Sequence, residues 1–225
     1  MSRTDGPENE AVFVTRTTGV LPAMKIREGG DLVSYVRAMY EGGARVIEIT
    51  TTTPGIFESF QTLRDEFKDR IFLAAGTTLD ETTARLAILA GARVIVSPAF
   101  RPDVIATAHR YGVAMYCGAF TATEVLLAME AGADMVKIFP ATLGGPKYMT
   151  NIKMVYPGVK ICPSGGISLE NAADFIRCGA DAISGNRNFF DLGMVEKHGL
   201  RWISEQVEKY IALVAKARQD LPELP

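Results

Sequence analysis

A lysine and a glutamate, each set inside a short apolar run, carry most of the chemical potential of this chain. Lys137 lies in Asp134-Met135-Val136-Lys137-Ile138-Phe139-Pro140-Ala141, and Glu48 lies in Val46-Ile47-Glu48-Ile49. The first run is closed by Pro140, which is how a buried strand ends. An ammonium group is rarely left in such a setting without a partner, and burial disfavours its charged form. A neutral amine attacks a carbonyl to give a Schiff base, while a carboxylate facing the same interior can shuttle protons. Two structural readings compete. Lys137 could snorkel out at the strand end, or the two residues could form an ion pair, costly unless its geometry is good. Nucleophile plus proton shuttle explains both residues at once.

Such residues need strands to hold them, and the chain supplies a regular alternation. Apolar runs predict strands at 19–26, 45–52, 71–78, 93–98, 113–119, 134–140, 159–164 and 181–185. Helical patterns fall at 31–42, 56–68, 80–90, 102–111, 122–131, 147–155, 169–178 and 199–217. Near-continuous apolar strands alternating with helices imply a parallel sheet covered by helices. Gly43-Ala44, Gly91-Ala92, Gly132-Ala133 and Gly179-Ala180 each stand between a helix and the next strand, as C-caps do. An open doubly wound sheet is the competitor; eight uninterrupted units favour closure into a single α/β (β/α)8 TIM barrel spanning 11–225. Residues 1–10, with the breaker Gly6-Pro7, read as a disordered leader.

In such a barrel chemistry sits at the strand C-termini. Those ends carry Glu48 and Thr50, Gly76-Thr77, Ser97-Pro98, Gly118, Lys137 and Phe139, Pro163-Ser164-Gly165-Gly166, and Ser184-Gly185-Asn186. The glycines ending strands seven and eight can offer backbone amides to an anion, and a helix starting near Ser168 adds its positive end. Gly144-Gly145 before Pro146 reads as a flexible loop near the same ligand. The threonine run Thr50 to Thr53 offers hydroxyl donors to a ligand or satisfies a turn. Trp202, on the last helix with Ile203, Val207, Tyr210 and Ile211, belongs to core or subunit packing.

Composition excludes several classes. A formal net charge of −2 leaves no basic excess for nucleic acid. No apolar run is long enough to span a bilayer. Three widely spaced cysteines argue against a disulfide framework and fit a reducing cytoplasm. With only His109 and His198, neither beside a Cys or carboxylate cluster, no metal site is expected.

Taken together, the motifs resemble the 2-keto-3-deoxy-6-phosphogluconate and 4-hydroxy-2-oxoglutarate aldolase family. The matching residues are Thr17-Thr18-Gly19-Val20-Leu21-Pro22, Gly42-Gly43 with Ile47-Glu48-Ile49-Thr50, Ala75-Gly76-Thr77, and Ser97-Pro98. The series continues with Gly118 and Thr121-Ala122-Thr123-Glu124, Lys137-Ile138-Phe139-Pro140-Ala141, and Pro163-Ser164-Gly165-Gly166-Ile167. The resemblance implies a class I lyase without a cofactor, which splits a 2-keto-4-hydroxy acid, phosphorylated or dicarboxylic, and releases pyruvate. It implies Lys137 as the Schiff-base lysine and Glu48 as general acid/base. Thr77 would contact pyruvate; Pro98 and Phe139 would wall the pocket. Gly165, Gly166, Gly185 and Asn186 fall where phosphate binds, and the assembly implied is a homotrimer.

Three positions depart from that pattern. Thr52 stands where many members carry an arginine, so a bidentate carboxylate clamp is missing. Ser164 replaces a threonine that helps set stereochemical preference. Ser184-Gly185-Asn186 replaces Gly-Gly-Ser and is followed by Arg187, a cation for an anionic ligand or for solvent. Thr50 or Thr52, with Thr77, would orient the substrate carboxylate. Two other readings stay open here: a phosphate-binding epimerase or isomerase barrel, and a non-catalytic barrel of the same family.

Overall fold

Alternate residues of each strand face two different apolar environments, and this two-sided burial sets the architecture. The computed structural model describes residues 8–26 and 31–220. Its strands are β1 (Val20–Met24), β2 (Val46–Thr50), β3 (Phe72–Gly76), β4 (Val94–Val96), β5 (Ala114–Ala119), β6 (Met135–Ile138), β7 (Ile161–Pro163) and β8 (Ile183–Gly185). All neighbouring pairs are parallel, in the order β7-β6-β5-β4-β3-β2-β1-β8. A parallel bridge between Ser164 and Ser184 joins the two remaining edges and closes the barrel. Every strand falls within its predicted range.

Helices α1 (Glu10–Thr18), α2 (Leu32–Glu41), α3 (Ile56–Phe67), α4 (Glu81–Ala90) and α5 (Pro102–Arg110) lead into the second half. There α6 (Ala122–Glu130), α7 (Ala141–Val155), α8 (Ala172–Arg177), α9 (Leu192–His198) and α10 (Arg201–Gln219) follow. Outward-facing Ile47, Ile49, Leu73, Ile95, Val136, Ile161 and Ile183 pack beneath the helices in one apolar cluster. The predicted glycine caps operate as one device: Gly43, Gly91, Gly132 and Gly179 all have positive φ. The following alanine amide then reaches the carbonyl five residues back, as Ala44 to Met39 and Ala180 to Phe175. Ile203, Val207 and Tyr210 of α10 are buried and Trp202 packs against the same core.

Inward-facing residues form a second cluster that includes Leu21, Val46, Ala74, Val94, Tyr116, Met135, Cys162 and Ala182. The ladder register staggers each strand against the next, so residues from alternate strands meet in layers of four. From the bottom these are Val46, Val94, Met135 and Ala182, then Leu21, Ala74, Tyr116 and Cys162. Above them come Glu48, Val96, Lys137 and Ser184, and then Ala23, Gly76, Gly118 and Ser164. The apolar floor therefore gives way, at one level, to a polar layer under a roof of small residues.

Three expectations need correction. Residues 8–10 belong to the fold rather than to a leader: Asn9 caps α1 by accepting the Ala11 amide at 3.0 Å, and Glu8 pairs with Arg16. Residues 1–7 of that leader lie outside the described residues. The α1 segment had no sequence assignment, because its β-branched residues blur the helical period. It plugs the barrel floor with buried Ala11 and Val12, and Thr15 Oγ1 lies 2.7 Å from Tyr116 Oη. The helix predicted at 147–155 is present, but a further helical segment from Ala141 precedes it. The two meet at Gly145, whose backbone (φ 64°, ψ −176°) is not helical, so Gly144-Gly145 is a tight kink rather than a flexible loop. The helix after strand seven starts at Ala172, not near Ser168.

Candidate active site

β2 and β6 stand on opposite sides of the barrel, so Glu48 and Lys137 in one layer reach each other across its axis. Lys137 Nζ donates to Glu48 Oε1 at 3.1 Å and Oε2 at 3.0 Å. Lys137 is 8% exposed and Glu48 2%. The amine therefore faces inward rather than snorkelling out, and the contact is direct. Removing one partner of such a pair strands the other charge in a dry interior, at about 3–5 kcal/mol.

The surroundings keep the pair dry from below and accessible from above. Cys162 lies directly under Lys137, its partner in the β6–β7 register. Burial pushes the Cys162 thiol up to about 12; the nearby Lys137 acts against that shift and Glu48 adds to it. It stays a protonated, inert floor. Tyr116 beside it is likewise raised by burial and tied into α1.

Above the pair, the small layer makes room. A Cβ on Gly76 would sit 2.2 Å from Glu48 Oε1 and 2.7 Å from its Cγ, so only glycine lets the carboxylate occupy its place. Gly118 is pressed against the Pro98–Ala99 backbone in the same way. Thr77, next to Gly76, holds φ at 58°, a strained region for a β-branched residue and one that accumulates at functional sites. Thr50, Pro98, Phe139 and Asn186 form the next layer, at the mouth, with Phe139 43% exposed.

The predicted residues do not all converge equally. Glu48, Lys137, Thr50 and Ser164 are buried and inward; Thr77 and Pro98 are half-buried at the rim. Thr52 is exposed, and its hydroxyl lies 3.1 Å from that of Thr50. Much of the threonine run satisfies a turn: the Thr53 amide donates to the Thr50 carbonyl, and Thr51 Oγ1 to the Thr77 carbonyl. Gly165 and Gly166 have φ of 90° and 74°, and their amides find no acceptor among the described residues. The Ser168 amide, by contrast, is taken by Asn171 Oδ1 at 2.8 Å, so no free helix end faces the glycines. Gly185 is held against Asn188, Asn186 is half-buried, and Arg187 is exposed. Two contributors were not singled out from sequence: Gly76 as the space for Glu48, and Ser184 in the layer of the pair. Alternation within strands two and eight was the signal available for both.

Among the described residues no group of three or more His, Cys, Asp or Glu could hold a metal, and no helix is long and apolar enough to cross a membrane. Comparison with known proteins then bears on the site. A sequence model of the family described as KDPG and KHG aldolase matches residues 12–206. The chain is 38% identical to the 2-dehydro-3-deoxy-phosphogluconate aldolase of Treponema pallidum, over 70% of this chain and 75% of that protein. It is 32% identical to the 2-dehydro-3-deoxy-6-phosphogalactonate aldolase of Escherichia coli, over 71% of this chain and 80% of the relative. The solved KDPG aldolase of Legionella pneumophila, with pyruvate captured as a covalent carbinolamine, superposes with a TM-score of 0.80 at 25% identity. That superposition covers 89% of this chain and 97% of the other.

Substituting Gly76→Ala tests the packing of the pair. The added methyl is expected to push the Glu48 carboxylate off Lys137, and to cost about 1–3 kcal/mol of stability as overpacking does. A crystal structure of the variant with the pair still in contact, together with an unchanged denaturation midpoint, would contradict this. With its barrel, its inward lysine and glutamate and its matches to known proteins, the chain belongs to the KDPG and KHG aldolase family.

Proposed function

We propose that this protein is a class I aldolase that cleaves a 2-keto-3-deoxy-4-hydroxy acid, 6-phosphorylated, to pyruvate and an aldehyde through a Schiff base on Lys137. The observation that carries the reading is the buried contact of Lys137 with both oxygens of Glu48, beneath a layer of small residues open to the barrel mouth. Buried ion pairs are a poor route to stability. Retention of both groups supports catalysis over a non-catalytic barrel.

In this mechanism Glu48 takes a proton from the amine, and Nζ attacks the 2-keto carbon. Glu48 returns that proton to the departing hydroxyl, and loss of water leaves a cationic imine, the electron sink for breaking the C3–C4 bond, with Glu48 again a carboxylate. Glu48 accepts the C4 hydroxyl proton as the aldehyde leaves, and the electron pair of the broken bond forms an enamine. Protonation of the enamine at C3, followed by hydrolysis, frees pyruvate and the amine. Thr77 and Thr50 orient the keto-acid carboxylate in the absence of an arginine at Thr52. Pro98 and Phe139 wall the mouth, and Ser164 faces the new carbinol. The unengaged amides of Gly165 and Gly166, with Gly185 and Asn186, are suited to hold a phosphate.

A homotrimer in a reducing, cytoplasmic setting completes the reading. It is supported by the exposed apolar Leu143, Met154 and Val155 of α7 and by three free cysteines. Sedimentation equilibrium should give three times the chain mass; a monomer would contradict the assembly.

Borohydride reduction in the presence of pyruvate should leave a stable adduct on Lys137, read by mass spectrometry. Lys137→Ala should lose both the adduct and about a thousandfold or more of turnover. Glu48→Gln should lower cleavage about 10²–10⁴-fold. A wild-type protein that forms no adduct and cleaves neither a phosphorylated 2-keto-3-deoxyhexonate nor 4-hydroxy-2-oxoglutarate would refute the assignment.

A further inference from the structure

Ser184 shares its layer with Lys137 and Glu48, on β8, which lies between β7 and β1 around the barrel. It is 0% exposed, and its Oγ is one of the few buried side-chain polar atoms without a hydrogen-bond partner among the described residues. Its register neighbours are Leu21 on β1 and Ser164 on β7. An idle buried hydroxyl destabilises a fold, and such exceptions call for an explanation.

Counting donors supplies one. In the free protein the ammonium of Lys137, with three N–H groups, holds both oxygens of Glu48. Once that nitrogen is doubly bonded to carbon it keeps a single N–H. One carboxylate oxygen then loses its protein donor in a dry site; the substrate's C4 hydroxyl meets Glu48 only to give up its proton. Within the layer, Val96 has nothing to offer, and Gly76 above contributes no side chain. The titratable groups facing Glu48 are Lys137 from β6 and, from the layer below, the protonated Cys162 of β7 and Tyr116 of β5. Thr50, above it on the same strand, is engaged with Thr52. The hydroxyl of Ser184 is the donor left over, and turning about χ1 between staggered wells re-aims it.

We infer that Ser184 is a positioning residue for Glu48: idle in the free enzyme, it donates to the carboxylate once Lys137 is tied up as the imine. The inference rests on the aldolase reading above. The hydroxyl stabilises the charged carboxylate in the state where Glu48 must act as a base. Its loss therefore raises the pH at which that base is protonated.

The test is a pH profile of retro-aldol turnover for the full-length wild type and Ser184→Ala, with borohydride trapping of pyruvate on both. kcat/KM reports the free enzyme and kcat the bound states. Ser184→Ala is expected to form the adduct like wild type and to keep the acid limb of kcat/KM. Its kcat should fall about tenfold, with the acid limb of kcat moving up by about one pH unit. Ser184→Gly, which also lacks the hydroxyl, should behave the same way, and the melting temperature of Ser184→Ala should be no lower than that of wild type. An unchanged kcat profile with an intact adduct overturns the role of Ser184 alone. Equal shifts in both limbs overturn it too, because they mark a general electrostatic effect. Absence of the adduct in wild type overturns the aldolase reading itself.

Discussion

One contact across the barrel axis constrains everything else: an amine and a carboxylate about a hydrogen bond apart, in a place water hardly reaches. Each group alone would be intolerable there, since an unpaired buried charge costs several kcal/mol. Together they are tolerated only if geometry is held. The apolar floor of Leu21, Ala74, Tyr116 and Cys162 excludes water from below, and α1 seals the barrel beneath it. The glycine at 76 clears the volume the carboxylate occupies. The fold reads as a device for keeping two reactive groups close, dry and reachable from one side.

Reactivity follows from the same constraint. In the proposed mechanism, a pair 3.0 Å apart passes the proton directly and needs no solvent to free the amine. The cost appears as a bookkeeping problem of hydrogen bonds, because a nucleophile that becomes an imine can no longer satisfy its partner. An unpartnered hydroxyl in the same layer is the kind of residue that solves such a problem, and stability theory alone gives no reason to keep it. Strain at Thr77 belongs to the same pattern of local cost at the strand ends.

Much of this was legible in the sequence because its signals are periodic and local. Apolar runs and helix-terminating glycines placed all eight strands, and two charges inside those runs identified the pair. What sequence could not give was depth. The layer shared by Glu48, Lys137, Val96 and Ser184 arises from the stagger of strands far apart in the chain. For the same reason Gly76 stands in the sequence only as the end of a strand, not as space for a carboxylate. The α1 plug was obscured by its β-branched residues, whose burial is decided by the barrel floor and not by local preference. At the glycines after β7, the Gly165 and Gly166 amides find no acceptor among the described residues, whereas the Ser168 amide is already taken by Asn171, a pairing set by tertiary placement and not by the Gly-Gly signal.

The central claim is that Lys137 forms an imine with a keto acid while Glu48 moves the proton. Proton NMR of pyruvate in D2O tests both halves at once, because only an imine-forming site with a base exchanges the methyl protons quickly. The account predicts rapid loss of the methyl signal with wild type, none above background with Lys137→Ala, and slow loss with Glu48→Gln. Methyl protons that persist with the wild-type protein, or exchange that survives Lys137→Ala, would contradict it.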